Sequence, residues 1–203
     1  MFLHRAPWEI LIRRWRLLAF AGFIAALLAV LASLIFPWEY RADAQILIIS
    51  KSRYGVDPYT AVKSAERVGE NLAQVVGTND FFNKVMSQSG YNLEQSRFTN
   101  VAERIKRKRW QKTVEASVVY GTGVLNVSAY HKDKIQAEQL AGAVATTLVS
   151  SGWEYVGGDV GFKIVNEPVA TRFPARPNLL TNAILGFITG LLLMSVVIIR
   201  KEK

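Results

Sequence analysis

Apolar residues follow three rhythms along this chain. Two stretches are apolar almost without interruption: LLAFAGFIAALLAVLASLIF, residues 17–36, and LLTNAILGFITGLLLMSVVII, residues 179–199. At about 1.5 Å rise per residue, each would span roughly 30 Å as a helix, one hydrocarbon core. Neither carries a charge, and the pattern predicts two transmembrane helices.

Between these runs the rhythm changes. YRADAQILIIS alternates and is rich in branched residues, which predicts a strand over 40–49. Residues 50–58 read as a loop whose Asp57-Pro58 starts a helix near Tyr59. In that helix Ala61, Ala65, Val68, Leu72 and Val75 or Val76 recur at spacings of three and four, opposite a charged face. Gly77 and Asn79 break it, and Asp80 opens a short second helix that ends at Ser89-Gly90. FTNVAERIKRKRW reads as helical, with Val101, Ile105 and Lys108 or Arg109 on successive turns. Two alternating runs, about 112–119 and 123–130, flank YGTG and predict a β-hairpin in which Gly121 and Gly123 adopt positive φ. Asp133 caps a further helix with an apolar stripe of Ile135, Ala137, Leu140, Ala141, Val144 and Leu148. Gly157, Gly158 and Gly161 mark a bend before a last strand at 162–167.

The expected fold class is α/β: two transmembrane helices flanking a small domain with a mixed sheet and helices on at least one face. The first and last strands must lie near each other, because both lead to a membrane span. The expected organisation is an N-terminal flank at 1–16, a first span at 17–36 and an external domain at 37–178 that ends in a proline-rich segment. A second span at 179–199 and a tail at 200–203 follow.

Charge adds an orientation. Arg13, Arg14 and Arg16 precede the first span, and Arg200, Lys201 and Lys203 follow the second. Positive flanks favour the cytoplasm, so both termini are expected there, with the domain on the periplasmic or extracellular side of the inner membrane. Much of the net charge of +9 is therefore topogenic and is no nucleic-acid footprint. Trp15 and Trp38 bracket the first span at interface positions, and Trp8, Ile10, Leu11 and Trp15 could line a short interfacial helix. The first run has the basic start of a signal peptide. Its length and the Pro37–Arg41 spacer before Ala42 and Ala44 favour an uncleaved anchor. The absence of cysteine excludes disulfides and thiol chemistry.

Catalytic chemistry finds little support. His4 and His131 fall on opposite sides of the membrane in this topology, so they cannot share a metal. Glu66 and Glu70 are four apart on a polar helix face, and Asp80 with Glu94 is no better a pair. No glycine-rich phosphate loop is present, and no cofactor is expected. Asn126-Val127-Ser128 fits a glycosylation triplet inside a predicted strand and carries no weight. The densest charge is RIKRKR, in which Arg104, Lys106, Arg107, Lys108 and Arg109 place five cations in six residues. It reads as a solvated helix face or as a patch for an anionic partner, either lipid headgroups or an acidic glycan.

The second span is approached through Pro168, Pro174 and Pro177, which fix φ and remove donors, so the approach is expected to be stiff. Within the span, Gly186 and Gly190 form a small-xxx-small face for close helix contact. The first span offers Ala21, Gly22, Ala25, Ala26 and Ala29 as a match, so the ordinary reading is packing of the two spans on each other.

In its order the chain resembles the polysaccharide co-polymerase family, the chain-length determinants of bacterial surface glycans. It is most similar to the short-domain members associated with capsule and exopolysaccharide kinases. Pro37 and Tyr40 to Ile48 are similar to the family's strand after the first span. Phe81, Phe82 and Val85 are similar to its short helix, and Asp133, Ala137 and Ala141 to the helix after its hairpin. Pro174, Pro177, Gly186 and Gly190 resemble its proline-rich approach and second span. The resemblance implies a non-enzymatic regulator of capsule, exopolysaccharide or O-antigen polymerisation, chain length or export. It implies a homo-oligomer beside a glycan polymerase or export machinery, in contact with membrane lipid and the nascent polysaccharide. The alternative is an adaptor that recruits or activates a separate cytoplasmic tyrosine kinase; the short tail Arg200-Lys201-Glu202-Lys203 gives it little surface.

Overall fold

The computed structural model describes residues 11–50, 57–157 and 160–201. Trp8, Ile10, His4, the loop at 51–56, Gly158 and Lys203 lie outside them. The chain divides into two compact units, Met1–Trp38 with Arg176–Lys203, and Glu39–Ala175. The α/β unit is thus slightly shorter at both ends than residues 37–178.

The first unit holds α1, Trp15–Ser33, and α7, Leu179–Lys201. Both are long and apolar enough to cross a membrane. The apolar run of the first continues to Phe36 through tighter turns, with Ile35 N donating to Ala32 O and Phe36 N to Ser33 O.

The second unit runs β1 Tyr40–Ser50, α2 Pro58–Val76, α3 Asn79–Met86, α4 Glu103–Thr113, β2 Val114–Val118, β3 Val124–His131, α5 Lys134–Ser151, α6 Trp153–Val156 and β4 Val160–Ala170. The sheet order is β2-β3-β1-β4. Every pairing is antiparallel, so the sheet is not mixed as expected. The reason lies in the connections: β2 and β3 form a hairpin, and β3 and β4, joined through α5, run in the same sense but are held apart by β1 lying antiparallel between them. The first and last strands, expected to lie near each other, pair directly. Ala175 N donates to Glu39 O at 2.8 Å, so the chain enters and leaves this unit side by side.

One sheet face carries the core. Ala42, Ala44, Ile46 and Ile48 of β1 and Leu125, Val127 and Ala129 of β3 are buried there beneath α2 and α5. The other face is polar and cross-linked. Asn166 Nδ2 donates to Gln45 Oε1, Gln45 Nε2 to Asn126 Oδ1 at 2.8 Å, and Ser128 Oγ to Asp43 Oδ1 at 2.6 Å. An antiparallel sheet tolerates this division because its strands alternate inward and outward. The helix α5 departs from a single stripe. Its small residues Ala141, Gly142, Ala143 and Ala145 let it sink into the fold and be buried on several sides, while Ile135, expected inside, is exposed.

Caps explain the helix starts. The Asp57 carboxylate accepts from Thr60 N at 3.2 Å with Pro58 in the first turn, and Asp133 accepts from Ile135 N at 2.8 Å, both as expected. The short α3 is capped by Thr78, whose Oγ1 accepts from Phe81 N; Asp80 sits in the first turn instead. In the hairpin only Gly121 has positive φ, +72°. Gly123 serves close approach: a Cβ there would lie 2.8 Å from Ile48 O and 3.0 Å from Ala65 Cβ. The last strand extends well beyond 162–167 and includes Pro168. Two register shifts against Asp43–Ile46 place extra residues in β4, an edge strand, where a proline forfeits no inner ladder bond.

Candidate functional site

The small-residue face is used between the two long helices. A Cβ added at Gly186 would stand 2.6 Å from Ala29 Cβ, 2.8 Å from Ala25 O and 3.1 Å from Ala26 Cα. At Gly190 it would stand 2.6 Å from Ala25 Cβ, 2.7 Å from Ala21 O and 2.9 Å from Gly22 Cα. Helix backbones therefore touch across a seam of glycine and alanine, the geometry that permits dense packing without a hydrophobic driving force. The seam is closed at one end by Asn182 Nδ2 donating to Ser33 Oγ at 2.7 Å, while Ser33 Oγ donates to Ala29 O at 2.7 Å. Phe23 and Phe187 meet edge to face at 5.3 Å. The ordinary reading of the glycines, packing within one chain, is the one the geometry supports.

Of the three prolines, Pro168 lies inside β4, Pro174 in the irregular segment after it, and Pro177 in the other unit. The segment after β4 is held by more than proline. Thr171 N donates to Arg41 O at 2.7 Å, Arg41 N to Thr171 Oγ1 at 3.2 Å, and Ala175 N to Glu39 O at 2.8 Å. Pro174 thus sits between two backbone bonds to the start of β1. Asn178, which the sequence reading passed over, caps α7: its Oδ1 accepts from Thr181 N at 3.1 Å. An Asn directly before a long apolar run was the available signal.

The basic block divides. Its helix is pinned by Trp110, fully buried, whose Nε1 donates to Val76 O at 2.6 Å. Phe82 and Phe98 meet that indole edge to face at 5.1 and 6.1 Å, respectively. Lys106 is half-buried, with its ammonium 4.6 Å from the Phe82 ring centroid and 3.6 Å from Glu103 Oε1. Arg109 Nη1 donates to Arg97 O at 2.6 Å. These two cations hold the fold. Arg104, Arg107 and Lys108 are exposed, form one helix face at spacings of three and four, and make no ion pair among the described residues. They are the part of the block available to an anionic partner.

Other charged groups are tied locally. Glu39 takes an ion pair from Arg97 at 3.0 Å, which fastens the irregular segment after α3 to the start of β1. His131 is buried and locally bonded: its Nδ1 accepts from Asp133 N at 3.0 Å, and its Nε2 lies 3.4 Å from Glu94 Oε2. The hydrogen bond from Lys84 to Glu154 raises the ammonium pKa above its usual value. Burial and the hydrogen bond to Asp80 raise that of the Tyr155 phenol. Both shifts favour the ordinary protonation states, the reverse of what a general base or nucleophile needs. Among the described residues no three His, Asp or Glu side chains gather at one point.

No protein-family model matches the chain, and no curated protein matches it.

Proposed function

We propose that this chain is a non-enzymatic membrane regulator of bacterial surface polysaccharide polymerisation, chain length or export. The observation that carries the reading is the architecture. Two apolar helices seamed by Gly186 and Gly190 bracket a separate α/β unit whose ends leave side by side, and the helix termini carry the basic flanks. This is the arrangement implied by the resemblance to the co-polymerases. In this reading the chain spans the inner membrane twice, both termini are cytoplasmic, and the α/β unit faces outward. Copies of the chain assemble beside a glycan polymerase or exporter, and the exposed face of Arg104, Arg107 and Lys108 meets anionic lipid or an acidic stretch of the nascent polymer.

Deletion of the gene tests this. It should change the amount or length distribution of the surface glycan, and the intact gene should restore both. The purified chain should neither transfer nor hydrolyse sugars. An unchanged glycan, or sugar turnover that is lost on mutating an acidic residue, would overturn the proposal.

A further inference from the structure

We infer that the groove between α2 and the β2–β3 hairpin is a subsite for a neutral saccharide chain, with Tyr120 as its stacking platform; the inference rests on the glycan-regulator reading above. The groove encloses about 370 Å³ and is lined by Glu66, Glu70, Ala73, Gln74, Val118 and Tyr120. Two of these, Glu70 and Gln74, are exposed and lie four residues apart on α2, in line with the buried Glu66. They form a row of hydrogen-bonding groups with a step of about 6 Å along the helix. Such a step is comparable to one sugar ring, so successive rings of a linear glycan could meet successive side chains.

The floor is closed by tight packing. A Cβ at Gly69 would come within 2.7 Å of Val118 Cγ2 and 2.9 Å of Ile48 Cδ1, so helix and hairpin touch at that point. The row is partly fixed in advance. Glu66 is almost wholly buried, and Lys63 Nζ holds its Oε2 at 2.9 Å, a bond that raises the ammonium pKa. Lys63 also lies 5.4 Å from the centroid of the Tyr120 ring. Beyond that contact the tyrosine is 87% exposed at the hairpin tip, and Tyr59, one turn before Lys63, is 74% exposed. Rings this exposed contribute little to the core, and of the two Tyr120 lines the groove.

The chemistry selects a sugar. One face of a pyranose presents C–H groups polarised by neighbouring oxygens, which stack on the electron-rich face of an aromatic ring. Its hydroxyls donate to carboxylates, and hydrogen bonds to a charged acceptor are stronger than neutral ones. Two carboxylates offset by one lysine leave the groove acidic, which repels uronic acids and favours neutral rings. A protein partner would instead need a closed apolar pocket for an anchor side chain, and this groove is open and polar-walled.

The test uses the full chain in lipid nanodiscs and fragments from partial hydrolysis of the host's own surface polysaccharide, separated by charge. Saturation-transfer NMR should reach the ring C–H protons of neutral fragments. Tyr120→Ala should weaken binding by about tenfold or more, and Tyr120→Phe should retain it within about threefold, because the stack and not the hydroxyl carries the contact. Glu70→Gln should weaken it several-fold. Tyr120 is exposed, so the melting temperature should not move and misfolding is not an alternative explanation. No transfer to any fragment, binding confined to acidic fragments, or equal binding by Tyr120→Ala would overturn the inference. So would a Tyr120→Ala variant that alters oligomer cross-linking while leaving sugar binding intact, which would make the groove a contact between copies. The two readings fail separately. A deletion that changes the glycan while the groove binds no sugar removes the subsite alone, whereas sugar binding with an unchanged glycan removes the regulator.

Discussion

Alanine at Gly190 should loosen the α1–α7 pair although it adds one carbon. That carbon would lie 2.6 Å from Ala25 Cβ, 2.7 Å from Ala21 O and 2.9 Å from Gly22 Cα. Comfortable carbon contacts need about 3.5–4.0 Å, so the helices must part locally by about 1 Å. A gap of that size forfeits roughly a quarter to a half of each neighbouring contact, each worth about 0.1–0.2 kcal/mol. Two of the three close atoms are backbone and cannot rotate away. Overpacking of this kind costs about 1–3 kcal/mol. The Asn182–Ser33 hydrogen bond at 2.7 Å would also be strained, at about 0.6 kcal/mol for a bond of its type in a membrane. The chain has no cysteine, so Ser33→Cys with Asn182→Cys gives an intramolecular cross-link; it removes the Asn182–Ser33 bond, so the shift it reports is that of the seam contacts alone. Its yield across an SDS titration reports helix separation. Gly190→Ala and Gly186→Ala should shift the midpoint to lower SDS, and Gly190→Leu further. Leu193→Ala, on an exposed side of α7, should not shift it. A Gly190→Ala midpoint equal to that of the parent would show that the seam is not close-packed and refute the reasoning.

Trp110→Ala should destabilise the α/β unit by about 3–5 kcal/mol in denaturant unfolding, while Trp110→Phe, which strands the Val76 carbonyl, should cost about 1–3 kcal/mol. Arg104→Glu with Arg107→Glu should weaken association with anionic vesicles or acidic glycan as added salt does, at unchanged stability; Lys106→Glu and Arg109→Glu should lower stability, because those side chains hold Phe82 and Arg97. Stability should fall as pH rises above 10: Tyr155, with an ordinary value of 10.0, and Lys84, with 10.5, both have raised folded-state values, so their contributions are complete below those values and are lost as pH climbs through the folded ones. Tyr155→Phe should flatten that alkaline limb of the unfolding curve, and an unaltered limb would refute the assignment.

Much of the fold was legible because local signals agreed with long-range ones. The uncharged runs became the two long helices. Alternation at Ala42, Ala44, Ile46 and Ile48 marked the buried face of β1. Asp57 and Asp133 announced their helices because a short carboxylate satisfies backbone donors wherever it stands. Other features depended on contacts that no spacing records. Pro168 was read as part of the stiff approach to the second span, but register shifts on an edge strand place it inside β4. Ile135 fits the period of α5 yet is exposed, because the small residues of that helix decided which sides could approach the sheet. The glycine seam was readable from both spans. The division of the basic block was not, since Lys106 and Arg109 are claimed by Phe82 and Arg97 from other parts of the chain. The groove was hidden for the same reason: Tyr120 and Glu66 are brought together only by the packing of the hairpin on α2.

The most direct test of the regulator proposal is the size distribution of the host's surface glycan while expression of this chain is titrated from none to excess. A non-enzymatic regulator acts through its ratio to the polymerising machinery. The modal glycan length should therefore move progressively with expression, and Gly190→Leu, at equal membrane abundance, should move it less. A glycan whose length and amount stay constant across the whole range would contradict the account.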